Sequence, residues 1–306
     1  MLNRRQLVLL VLLTLVWGLN WPVMKLGVGG FPPLSFRTVS MWLGLPVLAV
    51  ALLVLRLPFR LPAGPGYAHW RKLVWLAFTN MMIWHACIIL AVSSLSSGRA
   101  AILGYTMPIF SALFGALAYD NRLSSRSWLG VGAAATGVLL LLWHEFSRLA
   151  GTPAGVGLAL VAAAGWAVGT QSLRRTRLPV PTLTLSFWMT ALTATVMTVL
   201  ALATESPDWE AMPAGTLFAV AYNAVLVFGF AHAVWFVLAR DLPPAASTLS
   251  VMMIPVLGVF SGAAWLKETI HWQDLAAVGL MAGSILSALG PGNAATASTI
   301  AAKGKD

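Results

Sequence analysis

Charge is scarce in this sequence, and most of the charge it has is positive. Only 9% of the 306 residues are charged, 59% are hydrophobic, and the mean hydropathy is +0.83. A soluble domain carries roughly a quarter charged residues, so most of this chain must lie in lipid. The formal charge of +10 comes from basic residues that stand singly or in small groups between apolar runs. This distribution predicts the lipid bilayer as a partner and argues against nucleic acid, which needs a clustered basic face.

Cysteine and the usual catalytic groupings are nearly missing as well. Cys87 is the only cysteine, so an intramolecular disulfide is excluded. The sequence has no pair of histidines at zinc-ligand spacing, no cysteine cluster, no Gly-rich phosphate loop and no paired carboxylates. We therefore expect no enzyme, no metal site and no cofactor. A membrane-embedded enzyme that modifies lipids is the alternative from another class, and it would need such a constellation.

Long apolar runs are what the sequence has in abundance. Ten runs are about as long as the 20 residues that cross a bilayer. They cover about 6–27, 33–55, 73–94, 97–119, 127–143, 155–174, 182–204, 214–239, 243–266 and 272–290. No cleavage site follows the first run, so we expect it to stay as a helix. The predicted fold class is an all-α integral membrane protein with ten transmembrane helices, followed by a disordered cytoplasmic tail at 291–306.

The distribution of Lys and Arg predicts the orientation. With ten spans, one side of the membrane collects fourteen of these residues, and the other side has only Arg148 and Lys267. Because positive loops stay in the cytoplasm, both termini are predicted to be cytoplasmic. We expect a multi-pass protein of the cell's inner (plasma) membrane.

The second half of the chain repeats the first half with an offset of 147 residues. The register aligns a mid-helix proline, a helix end and the glycine of the next helix: Pro108 with Pro255, Leu123 with Ile270, and Gly132 with Gly279. The predicted units are 1–146 and 147–290, each with five helices. Because five is odd, the second unit must enter the membrane from the opposite face. The repeat is then inverted, which is an arrangement that permits alternating access.

Aromatic and polar residues near the middle of the spans are the candidates for a binding site. An indole at that depth has an N–H that needs a partner, so it should face another helix or a cavity. Polar side chains within the membrane also need partners, and they are candidates for a functional role. The candidate substrate-binding residues are Trp17, Asn20, Trp21, Asn80, Trp84, His85, Tyr105 and Trp166. Packing between helices is the competing interpretation for any one of them.

Two further groups of residues are candidates for the transport cycle. Gly104, Pro108 and Pro255 are predicted hinges, because proline removes a hydrogen bond from a helix. The cations Lys25, Arg37 and Arg99 lie toward the outer ends of their spans. We expect them to snorkel to the surface or pair with Glu268, forming a charged rim rather than binding the ligand directly. Such a rim would still suit a substrate with a carboxylate.

From about residue 6 to 290 the chain resembles the drug/metabolite transporter superfamily, in its ten-helix EamA-type branch. The matching pieces are Trp17-Gly18-Leu19-Asn20, Arg37, Ala91 with Ser96–Ala101, Tyr105-Thr106-Met107-Pro108, Pro255 with Lys267-Glu268, and Gly279 with Gly283. Asn121 departs from the glutamate that usually ends the fourth helix. The resemblance implies an exporter of amino acids or other small metabolites, with a central cavity formed by both halves. The number of aromatic residues makes the aromatic amino acid exporters of the YddG type the most similar group.

The sequence therefore predicts a carrier for aromatic or large neutral amino acids. Nucleotide-sugar or sugar-phosphate antiporters and multidrug exporters of the same superfamily remain alternatives. Apart from Asp274 near a helix end, no carboxylate falls inside a span. We therefore expect facilitated movement or exchange, although His85 leaves a proton role open. The Gly279–Gly283 pair is compatible with a monomer or a weak homodimer.

Overall fold

The computed structural model describes residues 4–119, 125–147, 153–241 and 244–288, and these residues form helices and connecting loops without a strand. The α-helices of the first half are α1 Arg4–Val28, α2 Pro33–Val54, α3 Ala68–Leu76, α4 Ile83–Ser94, α5 Ser97–Gly104, α6 Met107–Tyr119 and α7 Ser125–Ser147. Those of the second half are α8 Pro153–Arg175, α9 Thr182–Thr204, α10 Ala214–Tyr222, α11 His232–Asp241, α12 Pro244–Leu266 and α13 Trp272–Ala288. A 3₁₀ turn, Pro65–Tyr67, precedes α3.

Seven helical stretches are long and apolar enough to cross a membrane. They are Arg4–Val28, Pro33–Val54, Pro65–Ser94, Ser97–Ala118, Pro153–Arg175, Thr182–Thr204 and Ala214–Phe236. The other three predicted spans fall on α7, α12 and α13, and the apolar stretches described in α7 and α12 are shorter, Trp128–Leu141 and Met253–Leu266. The prediction of an all-helical membrane protein is thus confirmed in its coarse form. The predicted tail at 291–306 and Asn121 lie outside the described residues.

The side chains are arranged as lipid surroundings require. The outer surface of α1 exposes apolar residues such as Leu7, Val11 and Leu15, each more than 40% exposed. Polar residues such as Ser40, Asn80 and Thr190 are fully buried. A helix in lipid satisfies its own backbone groups, so it can turn its apolar side chains outward and keep its polar ones for the interior.

The predicted span 97–119 is not one continuous helix. α5 ends at Gly104 and α6 begins at Met107, so Pro108 is the second residue of α6 rather than the middle of a helix. Proline has no N–H for the ladder and disfavours helical geometry in the residue before it. At the break, the Thr106 hydroxyl donates to the Leu103 carbonyl at 2.7 Å. By contrast, Pro255 lies inside the continuous helix α12.

Two π-helical segments interrupt the third and the eighth predicted spans. The first, Ala77–Met82, joins α3 to α4, and the second, Asn223–Ala231, joins α10 to α11. A shift of 147 residues places the first segment within the second. Such wide turns redirect the side chains that follow them and are frequent at functional sites. Each segment is followed within three residues by a histidine, His85 and His232.

The helices of the two halves pack against each other along the whole molecule. α1 packs on α12, α8 packs on α4, α5 and α6, α2 packs on α9, and α7 packs on α13. α2 and α9 run antiparallel: the start of α2 bonds to Glu205, which follows α9, and Thr184 near the start of α9 donates to the Pro58 carbonyl beyond α2. The interior between these helices contains the cavity described below.

Two carboxylates of the second half cap helices of the first half. Glu205 accepts hydrogen bonds from the backbone N–H groups of Leu34 and Ser35, at 2.8 and 2.7 Å, at the start of α2. Glu268 accepts from the backbone N–H and the hydroxyl of Ser97, at 2.8 and 2.7 Å, at the start of α5. A helix N-terminus has unpaired N–H groups and a positive dipole end, so a carboxylate there is stabilising. Both caps hold the halves together at the same end of the molecule.

Candidate functional site

A cavity lies between the two halves, with about 530 Å³ of space free of protein atoms, its open side included. α1 forms one wall. The other side chains come from α2, α4, α8, α11, the start of α6, the segment between α5 and α6, and the second π-helical segment. The aromatic residues that line it are Trp17, Trp21, Trp84, Tyr105, Trp166 and Trp235. Binding sites for small molecules are mostly apolar with a few polar groups, and the residues that line this cavity have the same composition.

The indoles meet at the centre of the molecule. The ring centroids of Trp17 and Trp166 are 6.2 Å apart, those of Trp84 and Trp166 are 5.2 Å apart, and those of Trp17 and Trp235 are 5.5 Å apart. The interplanar angles lie between 52° and 83°, so the rings meet mainly through edges and not in parallel stacks. A wall of aromatic rings can contact a planar ligand through ring faces or ring edges.

Glycine at position 104 makes room for this arrangement. A Cβ atom there would lie 3.0 Å from the Trp21 ring and 3.2 Å from the Trp84 ring. The break between α5 and α6 therefore lies directly against two indoles of the cavity wall. Gly104 is a packing position as well as a predicted hinge, and its role as a hinge stays a prediction.

The polar part of the wall is small and buried. Asn20, Arg37, His85 and His232 line the cavity, and each is at most 6% exposed. The rings of His85 and His232 lie 5.2 Å apart, and Phe228 stacks on His232 at 5.2 Å. Nδ1 of His232 lies 2.8 Å from the Val227 carbonyl of its own helix. No Asp or Glu is among the described residues that line the cavity.

Seven of the eight predicted substrate-binding residues lie in the cavity wall, and Asn80 is the exception. Asn80 belongs to the first π-helical segment, is fully buried, and packs against the backbone of Gly169 in α8. It therefore contacts a neighbouring helix instead of the cavity. The sequence gives the depth of a residue in the membrane but not the direction it faces.

The three cations of the predicted charged rim lie in different environments in the structure. The Lys25 ammonium donates to the carbonyls of Val92, Ser93 and Leu95, at 2.8–3.2 Å, and so caps α4. Arg99 pairs with Asp274 at 2.9 Å, between α5 and α13. Arg37 departs from the expectation: it is 1% exposed, so it does not snorkel, and it lines the cavity. Its position near the start of α2 suggested the surface, but α2 turns this face toward the interior.

Five residues of the wall were not predicted from the sequence: Met24, Met107, Val227, His232 and Trp235. One signal in the sequence was available for His232. It follows His85 by 147 residues, the offset of the repeat. Equivalent positions of two halves that surround one cavity are expected to face each other, and the two rings do so.

The fold and the site together define a polytopic membrane protein with a central, largely apolar cavity. The sequence model of the EamA-like transporter family matches the chain twice, at residues 4–143 and 153–290. The chain therefore belongs to this family of the drug/metabolite transporter superfamily, as the resemblance implied, and it is a membrane transporter.

Known relatives are similar to this chain over nearly its whole length. The uncharacterized inner membrane transporter YedA of Escherichia coli K12 is 28% identical, with 90% of this chain and 87% of the relative covered. The uncharacterized transporter YoaV of Bacillus subtilis is 22% identical, with 85% and 88% covered. A probable amino-acid metabolite efflux pump of Salmonella typhimurium is 25% identical, with 94% and 96% covered.

A solved crystal structure shares the fold. It superposes with a TM-score of 0.68 at 20% identity and covers 94% of this chain and 97% of its own. The predicted location in the inner membrane is confirmed by the family and by the apolar helices.

Proposed function

We propose that the chain is a ten-helix carrier that exports small amphiphilic metabolites, specifically aromatic or large neutral amino acids, by alternating access. The observation that carries this proposal is the cavity between the halves. In its wall the ring centroid of Trp166 lies 6.2 Å from that of Trp17 and 5.2 Å from that of Trp84. Their faces would stack on the apolar part of the substrate. The buried polar residues of the wall would bind its charged groups.

The packing of the helices supports an inverted repeat, and the distribution of Lys and Arg supports termini in the cytoplasm. α2 and α9 occupy equivalent places in the two halves and lie side by side in opposite directions. A second pair of contacts shows the same symmetry. α8 is the equivalent of α1, and α5 with α6 is the equivalent of α12; α1 packs on α12, and α8 packs on α5 and α6. Two units inserted in opposite directions can open a shared cavity to either side in turn.

The chemistry of the wall supports the substrate class. The indole rings of the wall favour a substrate with an aromatic or bulky apolar side chain. The efflux pump named above, whose name refers to amino-acid metabolites, is similar along nearly the whole chain. Because the described wall contains no carboxylate to carry a proton or sodium ion, facilitated movement or exchange is the mode we propose.

The test is the uptake of labelled tryptophan and phenylalanine by liposomes that contain the purified protein. The wild type should show saturable transport with exchange, and Trp17→Ala, Trp84→Ala and Trp166→Ala should each lower the rate at least tenfold. Trp143→Ala is the matched control, since Trp143 is 73% exposed on α7 and should transport normally. Wild-type rates in all three cavity variants would contradict the proposed site.

A further inference from the structure

Three polar side chains of the cavity wall have buried atoms without a hydrogen-bond partner. They are Oδ1 of Asn20, Nε of Arg37, and both ring nitrogens of His85. All three residues line the same cavity, and none is more than 6% exposed. Other described residues have unpaired buried atoms too, but these four atoms belong to residues that line one cavity, where a ligand can supply the missing partners.

Arg37 is the only one of these three residues whose side chain carries a permanent charge. Its Nη1 donates to Oδ1 of Asn223 at 3.0 Å, and its Nη2 contacts the sulfur of Met24. The guanidinium lies 5.7 Å from the ring centroids of both Phe36 and Phe228. These partners are neutral, and no carboxylate in the described part of the chain lies within ion-pair distance. A buried guanidinium remains charged and requires an anion, because an isolated charge is strongly disfavoured away from water.

The surroundings of Arg37 hold its side chain in place. Asn223 opens the second π-helical segment, and its amide nitrogen donates to the Ala219 carbonyl at 2.9 Å. This bond orients the amide so that its oxygen accepts from Arg37. The aromatic rings on either side restrict the guanidinium further. A guanidinium that is fixed by neutral groups and has its Nε–H unpaired can donate that N–H to a carboxylate in a charge-assisted hydrogen bond.

We propose that Arg37 binds the carboxylate of the transported molecule, with Asn20 and His85 binding the polar group beside it. This assignment rests on the proposed function and specifies its substrate class as an amphiphilic monocarboxylate. A single cation matches a single negative charge, whereas a nucleotide sugar or a sugar phosphate would need more cations than the described wall contains. A cationic drug would be repelled by the same guanidinium. The carboxylate, and not the amine, is therefore the group that the site requires.

The experiment compares three indoles that differ only in their charged groups: tryptophan, indolepropionate, which lacks the amine, and tryptamine, which lacks the carboxylate. Binding to the full-length protein in nanodiscs is measured by calorimetry. Tryptophan and indolepropionate should bind, and tryptamine should bind at least tenfold more weakly. Equal binding of tryptamine and indolepropionate would overturn the role of Arg37 and leave the carrier proposal standing.

Variants of Arg37 give a second, independent measurement. Arg37→Gln should weaken the binding of indolepropionate at least tenfold. The ratio of its affinity to that of tryptamine should fall to about one. Arg37→Lys, which keeps the charge, should retain part of that preference. Arg126→Gln is the matched control, because Arg126 is exposed on α7 and should bind like the wild type. An unchanged preference in Arg37→Gln would refute the assignment. If no indole, phenyl or branched aliphatic acid binds to the wild type, the proposed function fails, and the role of Arg37 fails with it.

Discussion

At the scale of single residues, the account depends on where buried charge and buried indoles lie. Four of the five tryptophans in the cavity wall, all except Trp235, were predicted from the sequence, because an indole at the middle of a span should face protein or a cavity. Arg37 could not be placed in the same way. Its depth in α2 suggested the membrane surface, and only the packing of α2 against α9 and the second π-helical segment shows that it faces inward. Depth follows from the sequence, but the direction of a side chain follows from the neighbouring helices.

Arg37→Met tests whether this charge is present for stability or for the ligand. In the absence of ligand, the buried guanidinium has no carboxylate partner among the described residues, and an unpaired buried charge lowers the stability of the folded protein. We expect an apparent melting temperature no lower than that of the wild type, together with loss of the shift that indolepropionate produces. Differential scanning fluorimetry in detergent measures both. A large drop in the melting temperature of the ligand-free variant would instead indicate a structural role.

At the scale of helices, the sequence predicted the seven long spans that the structure shows, but not the irregularities within them. The predicted span 6–27 compares with Arg4–Val28, and 182–204 with Thr182–Thr204. The wide turns at Ala77–Met82 and Asn223–Ala231 could not be predicted, because hydropathy averages over a span and does not report its hydrogen-bond register. The break between α5 and α6 was indicated only by Pro108. These irregular segments lie next to the cavity, where they alter the direction of the wall residues.

The contact between α8 and the first π-helical segment gives a prediction at this scale. A Cβ atom on Gly169 would lie 2.6 Å from the backbone nitrogen of Asn80, whereas nothing lies within 4 Å of one on Gly157. Gly169→Ala should therefore lower stability by about 1–3 kcal/mol through overpacking. Gly157→Ala, in the same helix, is the control and should raise stability by about 0.5–1 kcal/mol, since alanine favours helix. Thermal unfolding in detergent distinguishes the two, and equal melting temperatures would mean that α8 does not pack this closely.

At the scale of the whole molecule, alternating access requires that some contacts between the halves open while others remain closed. Glu205 and Glu268 tie the halves together at one end, where α2 and α5 begin. α5 also contacts α12 there, and a Cβ atom on Gly98 would lie 3.4 Å from Cβ of Val259. α7 and α13 pack together without contributing to the described wall of the cavity. We expect the first contact to open during transport and the second to stay closed.

Disulfides placed at these two contacts test that expectation. In a Cys87→Ala background, a bond between Gly98→Cys and Val259→Cys is close to the required Cβ separation of roughly 3.5–4.5 Å and should stop transport until it is reduced. Gly137→Cys with Ala277→Cys links α7 to α13, where a Cβ on Gly137 would lie 3.5 Å from the Ala277 backbone. That bond should leave tryptophan transport in liposomes unchanged. Full transport with the first bond formed would rule out opening at α5 and α12.

The central claim is that the substrate binds between the halves, among the indoles and beside Arg37. The most direct test is a crystal structure of the protein with bromotryptophan, whose bromine is located by its anomalous scattering. The account predicts one bromine peak in contact with the rings of Trp17, Trp84 or Trp166, with the ligand carboxylate on the Arg37 guanidinium. A bromine found only on the lipid-facing surface, with the cavity unchanged and empty, would contradict it.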